Sequence, residues 1–241
     1  MQGLHKSGTM FLYQLFHRLA RARKIAFYSS NRLEPNADEI TPDIDHDFCL
    51  CPIRTFANEP GPFHDGLRVK RIFHVRDPRD ILVSQYYSYG WRHCEEGFDQ
   101  GRIRQRETIR SMSIDEYVLN QKSVLQPLKL HYADLIHRQP YELRQVVRYE
   151  EMVLDFPRWL ERVMQPFEFH FPALVKKRFA IRFRNEFRPD DNPQSHKRSV
   201  VPGDYLIHLQ PKTISQLNEI LEPELRALNY DFAGGIHSAA A

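Results

Sequence analysis

Two segments constrain this chain more than anything else in it: Gly3-Leu4-His5-Lys6-Ser7-Gly8-Thr9-Met10-Phe11 and Arg71-Ile72-Phe73-His74-Val75-Arg76-Asp77-Pro78-Arg79-Asp80. Each reads as a short apolar strand, a turn loaded with anion-binding groups, and the start of a helix. In open α/β sheets ligands bind beyond the carboxyl ends of the strands. Two such turns on one sheet can therefore hold a ligand that carries phosphate-like charge at both ends.

In the first turn Gly8 lets the backbone approach an anion closely, and Ser7, Gly8 and Thr9 present amides at a helix N-terminus, where the dipole favours negative charge. Lys6 adds a mobile cation, and Ser7 and Thr9 add hydroxyl donors. The pattern is not a Walker A loop: there the lysine follows the second glycine, whereas Lys6 precedes Ser7-Gly8-Thr9. That weakens a small-molecule kinase reading. In the second turn Arg76 follows the strand directly, placed to grip a phosphate as a bidentate fork. Asp77 suits the N-cap and Pro78 the first helical position, with Ser84 on the same helix. Taken singly, each turn also reads as an ordinary strand-to-helix connection, with Lys6 in water and Arg76 paired to Asp77 or Asp80. Together they favour the anion site.

The remaining pattern supplies a matching frame. Apolar Leu12, Leu15, Phe16 and Leu19 recur at helical spacing, so residues 9–24 read as an amphipathic helix. Strands are expected at 25–30, 47–56, 69–75 and 145–149. Helices are expected from 77 to about 91, from the capping box Ser113-Ile-Asp-Glu116 towards 136 with a break at Pro127, and at 151–164, 173–184 and 213–228. Residues 31–46, 57–66 and 93–110 are polar and read as loops shaping a ligand pocket. Alternating strands and helices imply βαβ units, a central parallel sheet and helices on both faces, as one domain over 1–233 with a frayed or expression-derived tail at 234–241. The strand before the first turn is short, so the natural start is expected upstream.

With 41% hydrophobic residues among 241, the chain can bury a sizeable core, and no apolar run approaches the roughly 20 residues of a membrane span. A net charge of +3 suits a small anion and is too weak to argue for nucleic acid. Three cysteines (Cys49, Cys51, Cys94) read as reduced thiols of a cytoplasmic protein, and the scattered histidines lack metal-ligand spacing.

With those residues in view, the chain resembles the sulfotransferases that use 3′-phosphoadenosine 5′-phosphosulfate (PAPS). His5-Lys-Ser-Gly-Thr-Met-Phe11 is similar to the family's Pro-Lys-Ser-Gly-Thr-Thr-Trp loop, which grips the 5′-phosphosulfate. The resemblance implies donor contacts for Lys6, Ser7, Gly8, Thr9, Met10 and Phe11, with Phe11 stacking on adenine in place of the Trp. Phe73 to Ser84 resembles the segment whose Arg and Ser bind the 3′-phosphate, here Arg76 and Ser84. Val147-Arg-Tyr-Glu-Glu-Met resembles the strand end near the adenosine, giving Tyr149. Arg198-Ser-Val-Val-Pro-Gly-Asp-Tyr205 resembles the late segment that closes over the 3′-phosphate, giving Arg198 with Lys197 as a substitute donor. All four occur in the family's order.

The implied activity is transfer of a sulfuryl group to a hydroxyl or amine of a small-molecule acceptor, with Lys6 stabilising the leaving oxygen, Ser84 holding Lys6 or the 3′-phosphate, and no metal. One departure concerns the base. Many relatives have Lys-Thr-His before the second turn; here Arg54-Thr55-Phe56 stands there, and Phe56 cannot accept a proton. His64, with an ordinary pKa near 6.5, and Glu34 are the candidates by position. Phe56 is also the best argument for a non-catalytic nucleotide-binding module.

Overall fold

The two anion-binding turns lie side by side because the strands that feed them are neighbours. The computed structural model describes residues 2–3, 6–29, 46–51, 71–92, 99–137, 144–165, 177–178, 180–181 and 201–232. In it β1 (Gln2–Gly3) and β5 (Arg144–Arg148) both pair in parallel with β4 (Arg71–Val75), Gly3 opposite His74 and Val75 opposite Arg148. The order β1-β4-β5 brings three carboxyl ends to one edge. A second parallel pair joins β2 (Ala26–Tyr28) to β3 (Phe48–Leu50).

Successive strand side chains face opposite ways, and β4 uses both faces. Phe73 and Val75 enter a cluster with Ile81, Leu82, Tyr117, Leu125 and Leu217. Ile72 enters another with Leu12, Leu15, Phe16, Met152 and Trp159. The first cluster is covered by α2 (Pro78–Tyr87), α3 (Gln100–Ser111), α4 (Ile114–Val118), α5 (Gln126–His137), α8 (Asp204–His208), α9 (Pro211–Ile220) and α10 (Glu222–Ala227). The second is covered by α1 (Thr9–Arg23), α6 (Tyr149–Leu154) and α7 (Phe156–Met164). The fold is α/β, a three-layer αβα arrangement on a central parallel sheet, P-loop NTPase-like.

Several local expectations hold for the reasons given. Leu12, Leu15, Phe16 and Leu19 are buried along one face of α1. Asp77 caps α2 by accepting from the Arg79 amide at 2.9 Å. Ser113 and Glu116 form a reciprocal capping box at α4. Others are corrected. The expected helix from Ser113 to 136 breaks at Leu119 and Asn120, and a π-helical turn, Gln121–Leu125, leads into α5. Pro127 falls in the first turn of α5, where its missing N–H is tolerated. Residues 93–110 are not all loop, since α3 starts at Gln100 with an Asp99 cap. Tyr149 begins α6 rather than ending β5. The long helix expected at 213–228 is divided at Leu221 into α9 and α10.

Cys49 and Cys51 are free, buried thiols, and burial pushes Cys49 up to about 11, so both are inert at neutral pH. Among the described residues no helix is long and apolar enough to cross a membrane.

Candidate functional site

At the end of β1 the chain turns through two left-handed residues, Lys6 (φ 69°) and Gly8 (φ 78°). Gly8 adopts this conformation freely, whereas a side-chain-bearing residue such as Lys6 carries strain of order 1–3 kcal/mol, which the surroundings must hold in place. The reversal sets Gly8 at the N-cap of α1. Gly8 brings no side chain to cap this N-terminus and no acidic residue lies in its first turn, so the dipole's positive end suits an anion. Ser7 and Thr9 are buried beside it.

The Lys6 ammonium donates to the Ser88 hydroxyl and lies 5.3 Å from the centre of the Tyr89 ring. Both contacts come from the far end of α2, where a π-helical turn, Ser88–Arg92, continues the helix. The second anion turn meets the first directly: Arg76 Nη1 donates to the Lys6 carbonyl at 2.8 Å. The Arg76 guanidinium also stacks 4.3 Å from the Tyr149 ring and lies 3.8 Å from Asp80 Oδ2. It is 3% exposed, and its buried Nε has no hydrogen-bond partner among the described residues. One donor of the fork thus has no hydrogen-bond acceptor among the described residues.

One face of α2 runs along the whole site, since Asp80, Ser84 and Ser88 recur at i, i+4 and i+8. Asp80 is buried and accepts from the Gly203 amide through Oδ2 (2.9 Å) and the Tyr205 amide through Oδ1 (3.1 Å). Burial raises its pKa to about 6 against the opposing pull of Arg76. Gly203 takes φ 88° at the N-cap of α8, so the late segment returns to the sheet edge through a turn that favours glycine.

Behind Arg76, a network fixes the start of α2. The Asp77 amide donates to Glu150 at 2.8 Å, the Tyr230 hydroxyl donates to the other Glu150 oxygen at 3.1 Å, and the Tyr132 hydroxyl donates to the Arg76 carbonyl. Burial pushes Glu150 up to about 7, from an ordinary 4.5. Between these values the folded chain holds a proton that the unfolded chain releases, so this contribution to stability is present below about 4.5 and fades as pH rises through 7. Glu150→Gln keeps an acceptor for the Asp77 amide and removes the titration. Chemical denaturation at pH 5 and pH 8 should show wild type losing more stability than the variant over this interval; parallel losses would refute the assignment.

His74 is fully buried between the Tyr149 and Trp159 rings, centroids 6.4 and 5.7 Å away. Burial holds its pKa down to about 3, so it is neutral at working pH.

Of the residues singled out in sequence, Lys6, Ser7, Gly8, Thr9, Arg76, Ser84 and Tyr149 gather at this edge. Met10 is exposed beside them. Phe11 points into the core, 5.9 Å from Phe156 and 6.3 Å from Trp159 between ring centroids. Glu34, His64, Phe56, Lys197 and Arg198 lie outside the described residues. Lys6 is held by Ser88, a full turn beyond Ser84. Sequence reasoning missed Ser88, Tyr89 and the second role of Asp80. The i, i+4, i+8 stripe on α2 was the readable signal for Ser88 and Asp80.

A family model described as a sulfotransferase domain matches residues 1–228. Among solved structures, the chain is similar to mouse sulfotransferase SULT7A1 complexed with PAP, at 17% sequence identity and a TM-score of 0.58, over 93% of this chain and 82% of that one. At that identity the likeness speaks for the fold. Comparison with curated proteins gives no match.

Proposed function

We propose that this chain, which belongs to the sulfotransferase domain family, takes its sulfuryl group from PAPS and passes it to a hydroxyl or amine of a small-molecule acceptor, releasing adenosine 3′,5′-bisphosphate. The observation that carries this reading is the meeting of the two anion turns, joined by the Arg76-to-Lys6 hydrogen bond at 2.8 Å. A ligand with charge at both ends is what such a pair of turns suits.

In this reading Lys6 and the amides of Ser7, Gly8, Thr9 and Met10 hold the 5′ end. Arg76 and Ser84 hold the 3′-phosphate, with Tyr149 bracing the guanidinium and Lys197 and Arg198 closing over it. Phe11, expected to stack on adenine, instead packs on Phe156 and Trp159 and braces the loop from the core. During in-line transfer negative charge grows on the oxygen leaving sulfur, and Lys6 stands where it can offset that charge. Ser88 keeps the ammonium at the sheet edge. Protein cations suffice for the leaving group, so no metal is required. His64 or Glu34 takes the acceptor's proton; His74 is excluded by its burial between two rings. The span of the family match supports one domain over 1–233, and the reduced cysteines favour the cytoplasm.

Calorimetry with adenosine 3′,5′-bisphosphate in a chelator tests the donor. Binding should persist without divalent metal, and Arg76→Ala should weaken it about tenfold to a hundredfold, the worth of a charge-assisted hydrogen bond. Magnesium-dependent ATP turnover with no affinity for the bisphosphate would instead make the chain a kinase.

A further inference from the structure

We propose that Asp80 is a positioning residue of the donor site, clasping the 203–205 turn to α2 and aiming the Arg76 fork at the nucleotide's 3′ end. The inference rests on the donor reading above. Its geometry is independent of that reading. Asp80 is 0% exposed and uses both oxygens: Oδ1 takes the Tyr205 amide at 3.1 Å, and Oδ2 takes the Gly203 amide at 2.9 Å while lying 3.8 Å from Arg76 Nη2. The residues it joins are separated by more than 120 positions in sequence. Arg76 is fixed at its other end by the Lys6 carbonyl and on its face by Tyr149. Asp80 supplies the remaining side, while the buried Nε has no hydrogen-bond partner among the described residues.

Charge counting and positioning predict opposite outcomes for Asp80→Asn. Removing a carboxylate beside a phosphate site makes it more positive, and Coulomb's law alone then tightens anion binding. An Asn side chain, however, cannot accept from two amides through two atoms. Its NH2 would face the Gly203 or the Tyr205 N–H, donor against donor. The turn must shift, and the Arg76 fork loses one of its supports. The structure favours the second outcome, because both carboxylate oxygens are committed to backbone that no other described acceptor serves in the same way.

The test compares two nucleotides, adenosine 3′,5′-bisphosphate and adenosine 5′-monophosphate, by calorimetry on the full chain. Wild type should prefer the bisphosphate. In Asp80→Asn that preference should fall about tenfold or more, the worth of a hydrogen bond to a charged group, while 5′-monophosphate affinity stays within about twofold. A merely destabilising change would lower both affinities together and leave the ratio unmoved. Asp80→Glu provides a second variant if Asn does not fold: it keeps the charge, but its longer stem cannot meet both amides, so the same loss is expected. An unchanged or increased preference in the folded variants overturns the positioning role. If wild type itself shows no preference for the bisphosphate, the donor reading fails first and the inference falls with it.

Discussion

Lys6→Ala should lower sulfuryl-transfer turnover by about a hundredfold or more, the cost of losing one preorganised donor to a developing oxyanion. Affinity for adenosine 3′,5′-bisphosphate should change far less, because Arg76 and the amides at the start of α1 remain. Lys6 sits in the left-handed region at φ 69°, where Ala is strained to a similar degree, so the fold should be little disturbed. Lys6→Gly provides the control: it removes the same ammonium while relieving backbone strain of about 1–2 kcal/mol. The two variants should share the turnover defect and differ in melting temperature. Near-wild-type turnover in either would remove Lys6 from the chemistry. A defect confined to Ala would trace the loss to the turn's shape.

Arg79→Met should cost about 3–5 kcal/mol of folding stability, the range for breaking a buried ion pair from one side. Arg79 is 1% exposed. Its Nε and Nη2 donate to the two Asp77 oxygens at 3.0 and 2.7 Å, and its Nη1 donates to Asn218 at 2.7 Å. Nη2 also reaches the Asp231 carbonyl at 2.8 Å, and the guanidinium lies 4.3 Å from the Tyr205 ring. One side chain thus ties α2 to α8, α9 and the segment beyond α10. Met keeps much of the stem's packing, so the loss falls on the charge and its hydrogen bonds. For a chain of this size a melting shift of about 6–20 °C follows, readable by calorimetry. A shift below about 2 °C would mean that Asp77 finds other partners. Arg79 and Arg76 stand three positions apart, yet the first is spent on structure while the second keeps a donor with no partner among the described residues.

That contrast shows what the sequence carried. Both anion turns were legible because their signals are local. A strand of apolar residues, a glycine that can turn left-handed, and an Asp-Pro helix start need only neighbours along the chain. The apolar stripe of α1 and the Ser113–Glu116 capping box were legible for the same reason. The helix α3 was not, because only Arg106 and Ile109 are buried along it and a polar stretch leaves no helical period to read. The placement of Ser88 on Lys6 was also hidden. The resemblance pointed to Ser84, whereas the path of α2 and its π-helical turn carries Ser88 to the ammonium. Asp80 looked like a partner for Arg76 alone; its larger commitment is to amides far along the chain.

By itself the sequence determined the chemistry of the edge: two cationic turns, one a lysine beside helix amides and one an arginine fork, on a parallel α/β frame. Periodicity and turn residues act over a few positions, so they are written in the order of the chain. Only the tertiary structure decided which hydroxyl holds Lys6, which carboxylate lies beside Arg76, and which arginine is spent on structural contacts. Those choices depend on side chains brought together from distant positions by burial and hydrogen-bond satisfaction. No local pattern encodes them.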